Sequence, residues 1–313
     1  SPAAVEALRA GAGEVHRYPK ASHTDLTAAL AEEWGVAPAQ VWLAPGADGA
    51  LDYLARATLD PGDRVLVPDP GFAYYRMSAQ YHHGRVATYP VRREEGFAQS
   101  AERVLAAYDD ERVVYLTSPH NPTGSEFALD DLRELARRVA DHTLLVVDEA
   151  YGEYSTRASA RTLLDEFDNV AVTRTFSKAY GLAGLRVGYA LVPPSWADAY
   201  ARVNTPFAAN ELACRAALAA LSDDEHLERS VEGAQWARTY LRDELDARTW
   251  PSGGNFVLAA VGDAARVSEA AKREGLIVRD CGSFGLPGCV RVTCGTREET
   301  REAVAVLDRV VDR

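Results

Sequence analysis

The sequence contains no uncharged apolar run near the roughly 20 residues needed to cross a bilayer. Its first residues also lack the charged-then-apolar order of a signal peptide, so a soluble, cytoplasmic protein with no membrane partner is expected. Cysteine is scarce: Cys214, Cys281, Cys289 and Cys294 are scattered without a Cys-x-x-Cys pair, which suggests neither a zinc site nor a disulfide framework and predicts reduced thiols. His82-His83 has no acidic or histidine neighbour at helical spacing and reads as an exposed pair, so no metal is expected. Basic charge is in deficit, with 34 basic against 46 acidic side chains and a net charge of −12. That balance disfavours a nucleic-acid partner, because phosphate backbones require a basic face. The acids gather at Asp109-Asp110-Glu111 and Asp223-Asp224-Glu225, either as solvated helix ends and loops or as the acidic surface of a protein living in high salt, where self-repulsion is screened. Missing too are the Gly-x-Ser-x-Gly elbow, the Gly-x4-Gly-Lys-Ser/Thr loop, the Gly-x-Gly-x-x-Gly fingerprint and the His-Glu-x-x-His pair.

What is present is enough apolar material for two cores: 313 residues, 47% hydrophobic. Short valine-rich runs at Val41–Ala44, Arg64–Pro68, Val86–Tyr89, Arg112–Thr117, Leu144–Asp148, Val170–Thr175 and Arg186–Val192 alternate with amphipathic stretches such as Leu26–Trp34, Leu51–Thr58 and Leu129–Val139. That rhythm predicts an α/β unit with a mostly parallel seven-stranded sheet. After Pro193-Pro194 it changes to long helices, Glu211–Leu221 and Glu225–Asp246, and short strands at Asn255–Ala259, Leu276–Arg279 and Cys289–Thr293. Thr296-Arg-Glu-Glu299 is a capping box opening a last helix to about Val311. The expected organisation is a large α/β domain over residues 18–205, a smaller α+β domain over 206–313, and residues 1–17 packing beside it.

Ligands of open α/β sheets sit beyond the carboxyl ends of the strands, so polar residues there carry the most weight. Asn121 follows the strand ending at Thr117, Asp148 closes Leu-Leu-Val-Val-Asp, and Lys178 follows the strand ending at Thr175. An Asp leaving so apolar a strand is poorly solvated and calls for a positive partner such as a protonated pyridine nitrogen; the alternative is a helix N-cap. Lys178, among hydroxyls at a sheet edge, is placed as a Schiff-base amine; the alternative is an ordinary surface lysine. The turn Pro45-Gly-Ala-Asp-Gly49 offers backbone N–H groups and a helix dipole to a phosphate, and Arg186 can add a fixed charge or form a salt bridge at a strand start.

In order and spacing, Ser118-Pro-His-Asn-Pro-Thr-Gly124, Asp148-Glu-Ala-Tyr151 and Thr175-Phe-Ser-Lys-Ala-Tyr-Gly-Leu-Ala-Gly-Leu-Arg186 resemble the fold-type-I enzymes of the class I/II aminotransferase family, which use pyridoxal 5'-phosphate (PLP). The resemblance runs nearly end to end. It implies the PLP-transferase fold type I, catalytic roles for Lys178, Asp148 and Tyr151, and a cofactor held by Ala47, Asp48, Phe72, Asn121, Asp148, Tyr151, Thr175, Ser177, Lys178 and Arg186. Phe72 would stack on the ring, and Asn121 and Tyr151 would bond its phenolic oxygen. Tyr18 is similar to the tyrosine that reaches the phosphate, and the substrate, of the neighbouring subunit, which implies a homodimer with shared active sites.

Arg17-Tyr-Pro19, Val278-Arg-Asp280 and Val290-Arg-Val-Thr-Cys-Gly-Thr-Arg297 are most similar to the branch acting on histidinol phosphate. That branch implies a small-molecule amino donor and a keto acid as partners, with Arg291 on the donor's carboxylate and Arg279 near the substrate phosphate. A rim salt bridge to Asp280 or a neighbour is the alternative for Arg279. Pro70-Gly-Phe-Ala-Tyr-Tyr75 and Ala208-Ala-Asn210 also resemble a phosphothreonine decarboxylase, and a cofactor-sensing regulatory domain remains a further alternative. Two departures stand out. Gly49 replaces the family's usual glutamate, and the sequence opens at Ser1-Pro-Ala-Ala-Val, where the family carries an earlier Asn-Glu-Asn-Pro-like arm over the substrate.

Overall fold

In a computed structural model describing residues 1–20 and 24–311, the valine-rich runs form one sheet: β1 (Val41–Ala44), β2 (Arg64–Asp69), β3 (Arg85–Pro90), β4 (Val113–Thr117), β5 (Leu144–Asp148), β6 (Val170–Thr175) and β7 (Gly188–Leu191). Asp312 and Arg313, the end of the expected C-terminal domain, lie outside the described residues. The strand order is β1-β7-β6-β5-β4-β2-β3. Only β7 runs against its neighbours, so the sheet is mostly parallel. The two reversals about β7 make β1 run the same way as β6, and both end on one edge.

Helices α1 (Pro2–Gly11) and α2 (Thr24–Trp34) precede β1, and α3 (Gly46–Thr58), α4 (Ala73–Tyr81), α5 (Ala101–Ala107) and α6 (Leu129–Arg138) are the crossovers that join β1 through β5. They cover the sheet on both faces, which is why β4 and β5 are apolar without alternation up to their last residue, and why β4, β5 and β6 are buried along their length. Each large aliphatic side chain so buried contributes roughly 1.5–3 kcal/mol.

The chain continues through α7 (Tyr200–Val203), α8 (Glu211–Leu221), α9 (Asp224–Glu244), β8 (Arg248–Thr249), β9 (Phe256–Ala260), α10 (Ala264–Arg273), β10 (Arg279–Asp280), β11 (Cys289–Thr293) and α11 (Arg297–Val311). The last four strands form an antiparallel sheet, β10-β11-β9-β8. Its outer face packs with Leu241, Val267, Val304 and Leu307 in a separate core. Helix α8 buries Ala213, Cys214, Ala216, Ala217 and Ala220 in the same core as the large sheet, and α1 lies along it.

Several expected boundaries move for local reasons. Helix α3 starts at Gly46, so the glycine turn is itself the first turn of the helix. Strand β7 starts at Gly188, because Arg186 adopts a left-handed φ of 54° closing a short 3-10 turn. Leu276–Arg279 shrinks to Arg279–Asp280, an edge strand, with Ile277 82% exposed ahead of it. The capping box forms: Thr296 N–H donates to Glu299 at 2.7 Å and Glu299 N–H to the Thr296 hydroxyl at 3.2 Å. Asp223 caps α9, whereas Glu111 is no solvated acid: it is fully buried and accepts from Arg64 at 2.8 Å. His82 is not an exposed residue either; it is half-buried against Asp52 at 2.9 Å. Among the described residues no helix is long and apolar enough to cross a membrane.

Candidate active site

Thr117, Asp148 and Thr175 close three neighbouring parallel strands, and the register sets Thr117 opposite Asp148. Above them opens a cavity of about 340 Å³, which Ala47, Asp48, Phe72, Asn121, Asp148 and Tyr151 line together with Thr175, Ser177, Lys178, Arg186, Arg279 and Arg291. Every site residue expected from the sequence is therefore on this wall except Tyr18. Tyr18 is 85% exposed, its ring 5.2 Å from that of Phe207, and it lies away from the cavity of its own chain.

One end of the cavity is built for an anion. Pro45 gives α3 no side-chain cap, so the first N–H groups of the helix are left for a ligand. Arg186 folds over this turn, donating to Asp48 at 3.2 Å and to the Ser177 hydroxyl at 3.3 Å. Thr175 donates to Ser177 at 3.0 Å, completing a cluster of hydroxyls beside the guanidinium. Gly46 has φ +85°, and a Cβ there would stand 2.5 Å from Arg186. At Gly188 a Cβ would stand 2.7 Å from the Ala47 nitrogen. Glycine at both positions lets strand, helix start and arginine close up.

At the other end Asp148 is 4% exposed. Burial holds its carboxyl above the usual carboxylate range, against hydrogen bonds from Tyr75 and the Ala150 N–H that favour the ion. These donors are neutral, so the position has room for a cation. The N-cap alternative fails, since only a short 3-10 turn, Gly152–Tyr154, follows. Between the two ends the half-buried Lys178 amine lies 5.0 Å from the centre of the Tyr151 ring.

Arg291 stands over Phe256 at 5.0 Å and donates to the Asn121 side-chain oxygen. Arg279 donates to Ser283 at 3.1 Å and covers Phe284 at 5.4 Å. Among the described residues no ion pair joins Arg279 to Asp280, which instead accepts from the Gly282 N–H at 2.7 Å. Behind the wall, buried Arg174 bonds Glu149 at 2.7 Å and Glu153 at 2.8 Å, bracketing Tyr151. His120, fully buried, bonds Thr123 at 2.7 Å and the Pro70 carbonyl at 3.1 Å, tying the Asn121 loop to the Phe72 loop.

Sequence reasoning missed Tyr75, Thr117, Ala150 and Phe284 on this wall. Tyr75 was within reach, being one helical turn after Phe72. Phe284 gave no signal, since only the turn after β10 brings it in.

A lysine amine between an anion cradle and an isolated carboxylate is the arrangement of enzymes that tether an aldehyde cofactor. The family profile "Aminotransferase class I and II" matches residues 1–307, and the chain belongs to that family. It is 66% identical to histidinol-phosphate aminotransferase of Halorubrum lacusprofundi over 311 residues, covering 99% of this chain and 85% of the relative. With the enzyme of the same name from Haloferax volcanii the identity is 65% over 311 residues, covering 99% and 86%. The crystal structure of histidinol-phosphate aminotransferase from Sinorhizobium meliloti in complex with pyridoxal-5'-phosphate superposes with a TM-score of 0.90 at 29% identity, covering 100% of this chain and 87% of that one.

Proposed function

We propose that this chain is a cytoplasmic, homodimeric aminotransferase that uses pyridoxal 5'-phosphate to pass an amino group between histidinol phosphate and 2-oxoglutarate, with imidazole-acetol phosphate and glutamate as the other pair, in histidine biosynthesis. One observation carries the reading: Lys178 and Asp148 share a cavity with the Arg186 cradle at one end and Arg279 and Arg291 at its rim. The names of the relatives support the substrate.

The residues fit the cofactor. A phosphate suits the free N–H groups of α3 with Arg186, Ser177 and Thr175, and a cationic ring suits Asp148, whose donors are all neutral. When bound, PLP supplies an aldehyde that condenses with amines and a ring that draws electrons from the carbon bearing the nitrogen.

The chain's own residues then divide the work. Lys178 is the one cavity-lining side chain with an amine among the described residues, and it holds the cofactor until substrate arrives, then moves the proton at the substrate carbon. Asp148 keeps the ring nitrogen protonated. Phe72 would pack on the ring face, and Asn121 and Tyr151 would hold the phenolic oxygen. Arg291 binds the donor carboxylate and Arg279 the substrate phosphate, each as a planar, permanently charged donor. Tyr18, exposed on its own chain, completes the phosphate cradle of a second copy and reaches that copy's substrate.

The test is spectroscopic. Protein loaded with PLP is expected to show a visible band that bleaches with histidinol phosphate and returns with 2-oxoglutarate, and Lys178→Ala abolishes turnover. Lys20, Lys178 and Lys272 are the only side-chain amines in the sequence. Borohydride reduction and peptide mapping must therefore place the cofactor on Lys178. Release of carbon dioxide from phosphothreonine without any need for 2-oxoglutarate would replace the transaminase by a decarboxylase.

A further inference from the structure

Asp148 does not stand alone in its apolar strand end. Tyr75, 1% exposed, rises from the first turn of α4 with its ring clamped on two sides. It stacks on Tyr115 at 4.8 Å and 12°, and meets Phe72 edge-on at 5.5 Å and 85°. The hydroxyl so held donates to Asp148 Oδ2 at 2.6 Å and contacts Thr117 Oγ1 at 2.8 Å. A phenol has one hydrogen, and Asp148 takes it, so Thr117 is the donor in the second contact. Thr117 is fixed in turn, being the last residue of β4 and the direct strand neighbour of Asp148.

We infer that Tyr75, backed by Thr117, is a positioning residue that keeps the Asp148 carboxylate ionised and aimed at the cavity, and through it keeps the ring nitrogen of the cofactor protonated. This rests on the PLP reading above. A buried carboxyl with no cation prefers to keep its proton, and only donors that favour the ion oppose that preference. Oδ1 has the Ala150 N–H at 3.0 Å, and Oδ2 has Tyr75. The charge of Asp48 pushes the other way. Burial and the neighbouring Asp148 also keep the Tyr75 phenol far above its ordinary range, so it remains a donor wherever the enzyme works. In a chain of hydrogen bonds each donor strengthens the next, which is what Thr117 adds. Without Tyr75, the proton shared between carboxyl and ring nitrogen moves toward the carboxyl, and the ring loses its charge. Phe72 and Tyr75 lie one helical turn apart, so the start of α4 sets the ring-face contact and the charge partner together.

The test compares two cofactors on the apoprotein: PLP and its analogue with carbon in place of the ring nitrogen. Tyr75→Phe keeps the clamped ring and removes only the hydroxyl. It is expected to weaken PLP about tenfold and the carbon analogue less than twofold, as suits one hydrogen bond to a charged acceptor. The ¹⁵N shift of ring-labelled PLP should move toward that of a neutral pyridine. Thr117→Val is expected to act in the same sense at about threefold, and it decides the matter if Tyr75→Phe does not fold. Equal weakening of both cofactors, or an unmoved ¹⁵N shift, overturns the inference and leaves Tyr75 a packing residue. Asp148→Asn serves as the reference: if it too fails to discriminate the cofactors, or if neither binds, the fault lies with the PLP reading.

Discussion

At the scale of single residues, the site trades stability for chemistry. The raised carboxyl of Asp148 means that the folded, cofactor-free chain binds more protons than the unfolded one between the ordinary carboxylate range and the raised value. Its contribution is therefore present at low pH and lost as pH rises through that window. Asp148→Asn is expected to make the cofactor-free protein more stable at pH 7 in urea titrations while cutting turnover at least about 100-fold, or ~2.7 kcal/mol of transition-state stabilisation. His120 works with the opposite sign. Burial pushes its imidazole down to about 4 from 6.5, so the unfolded chain binds the extra proton and stability falls as pH drops from 6.5 toward 4. The shift corresponds to about 3 kcal/mol. Replacing His120 by Asn is expected to flatten the pH dependence of unfolding over that interval. Lys178, Asp148 and Asn121 were readable in the sequence because each follows or closes an apolar run, where polar side chains have few structural uses, whereas Arg186, at an expected strand start, was singled out by its spacing from Lys178 and by the resemblance. His120 was not readable, because its work is done through a bond to a residue 50 positions away, and Tyr75 could be placed near Phe72 by helical spacing but not against Asp148, 73 positions away.

At the scale of elements, the loop after β5 is held by an ion network that the sequence hid in plain strand. Arg174 reads as one more residue of β6, yet it is 4% exposed, bonds both Glu149 and Glu153, and lies 4.5 Å over the Trp34 ring. Gly152 leaves it room, since a Cβ there would stand 2.8 Å from the guanidinium. Arg174→Met removes the counter-charge that pairs with two buried acids and is expected to cost about 3–5 kcal/mol, read as a lower urea midpoint. Arg174→Lys should recover part of it, because a point charge cannot bridge two carboxylates as a fork does. Periodicity found β1 to β6 and the helices at α2, α6 and α11. It misplaced the start of α3, because a glycine turn that continues into a helix looks like a loop, and the start of β7, because the left-handed backbone of Arg186 has no sequence signature.

At the scale of the whole molecule, one chain leaves Tyr18 without a role. If a second copy supplies it, activity can be rebuilt from two defective proteins. Tyr18→Phe and Lys178→Ala, each impaired alone, are expected to regain up to about a quarter of wild-type activity when unfolded together and refolded as a mixture, because half of the dimers are mixed and each of those has one intact site. Sites confined to single chains would show no gain. The net charge of −12 bears on such mixing, since subunits of like charge associate more readily once salt screens them.

The single antiparallel strand in the large sheet has a last consequence. By standing between β1 and β6, β7 holds the start of α3 three strand spacings, about 14 Å, from β5. The sheet thereby acts as a ruler laid under the cavity: a molecule gains purchase on the helix start and on Asp148 at once only if side chains from both edges close the remaining gap onto it. Selection by length is thus written into the backbone, before any side chain reads chemical detail.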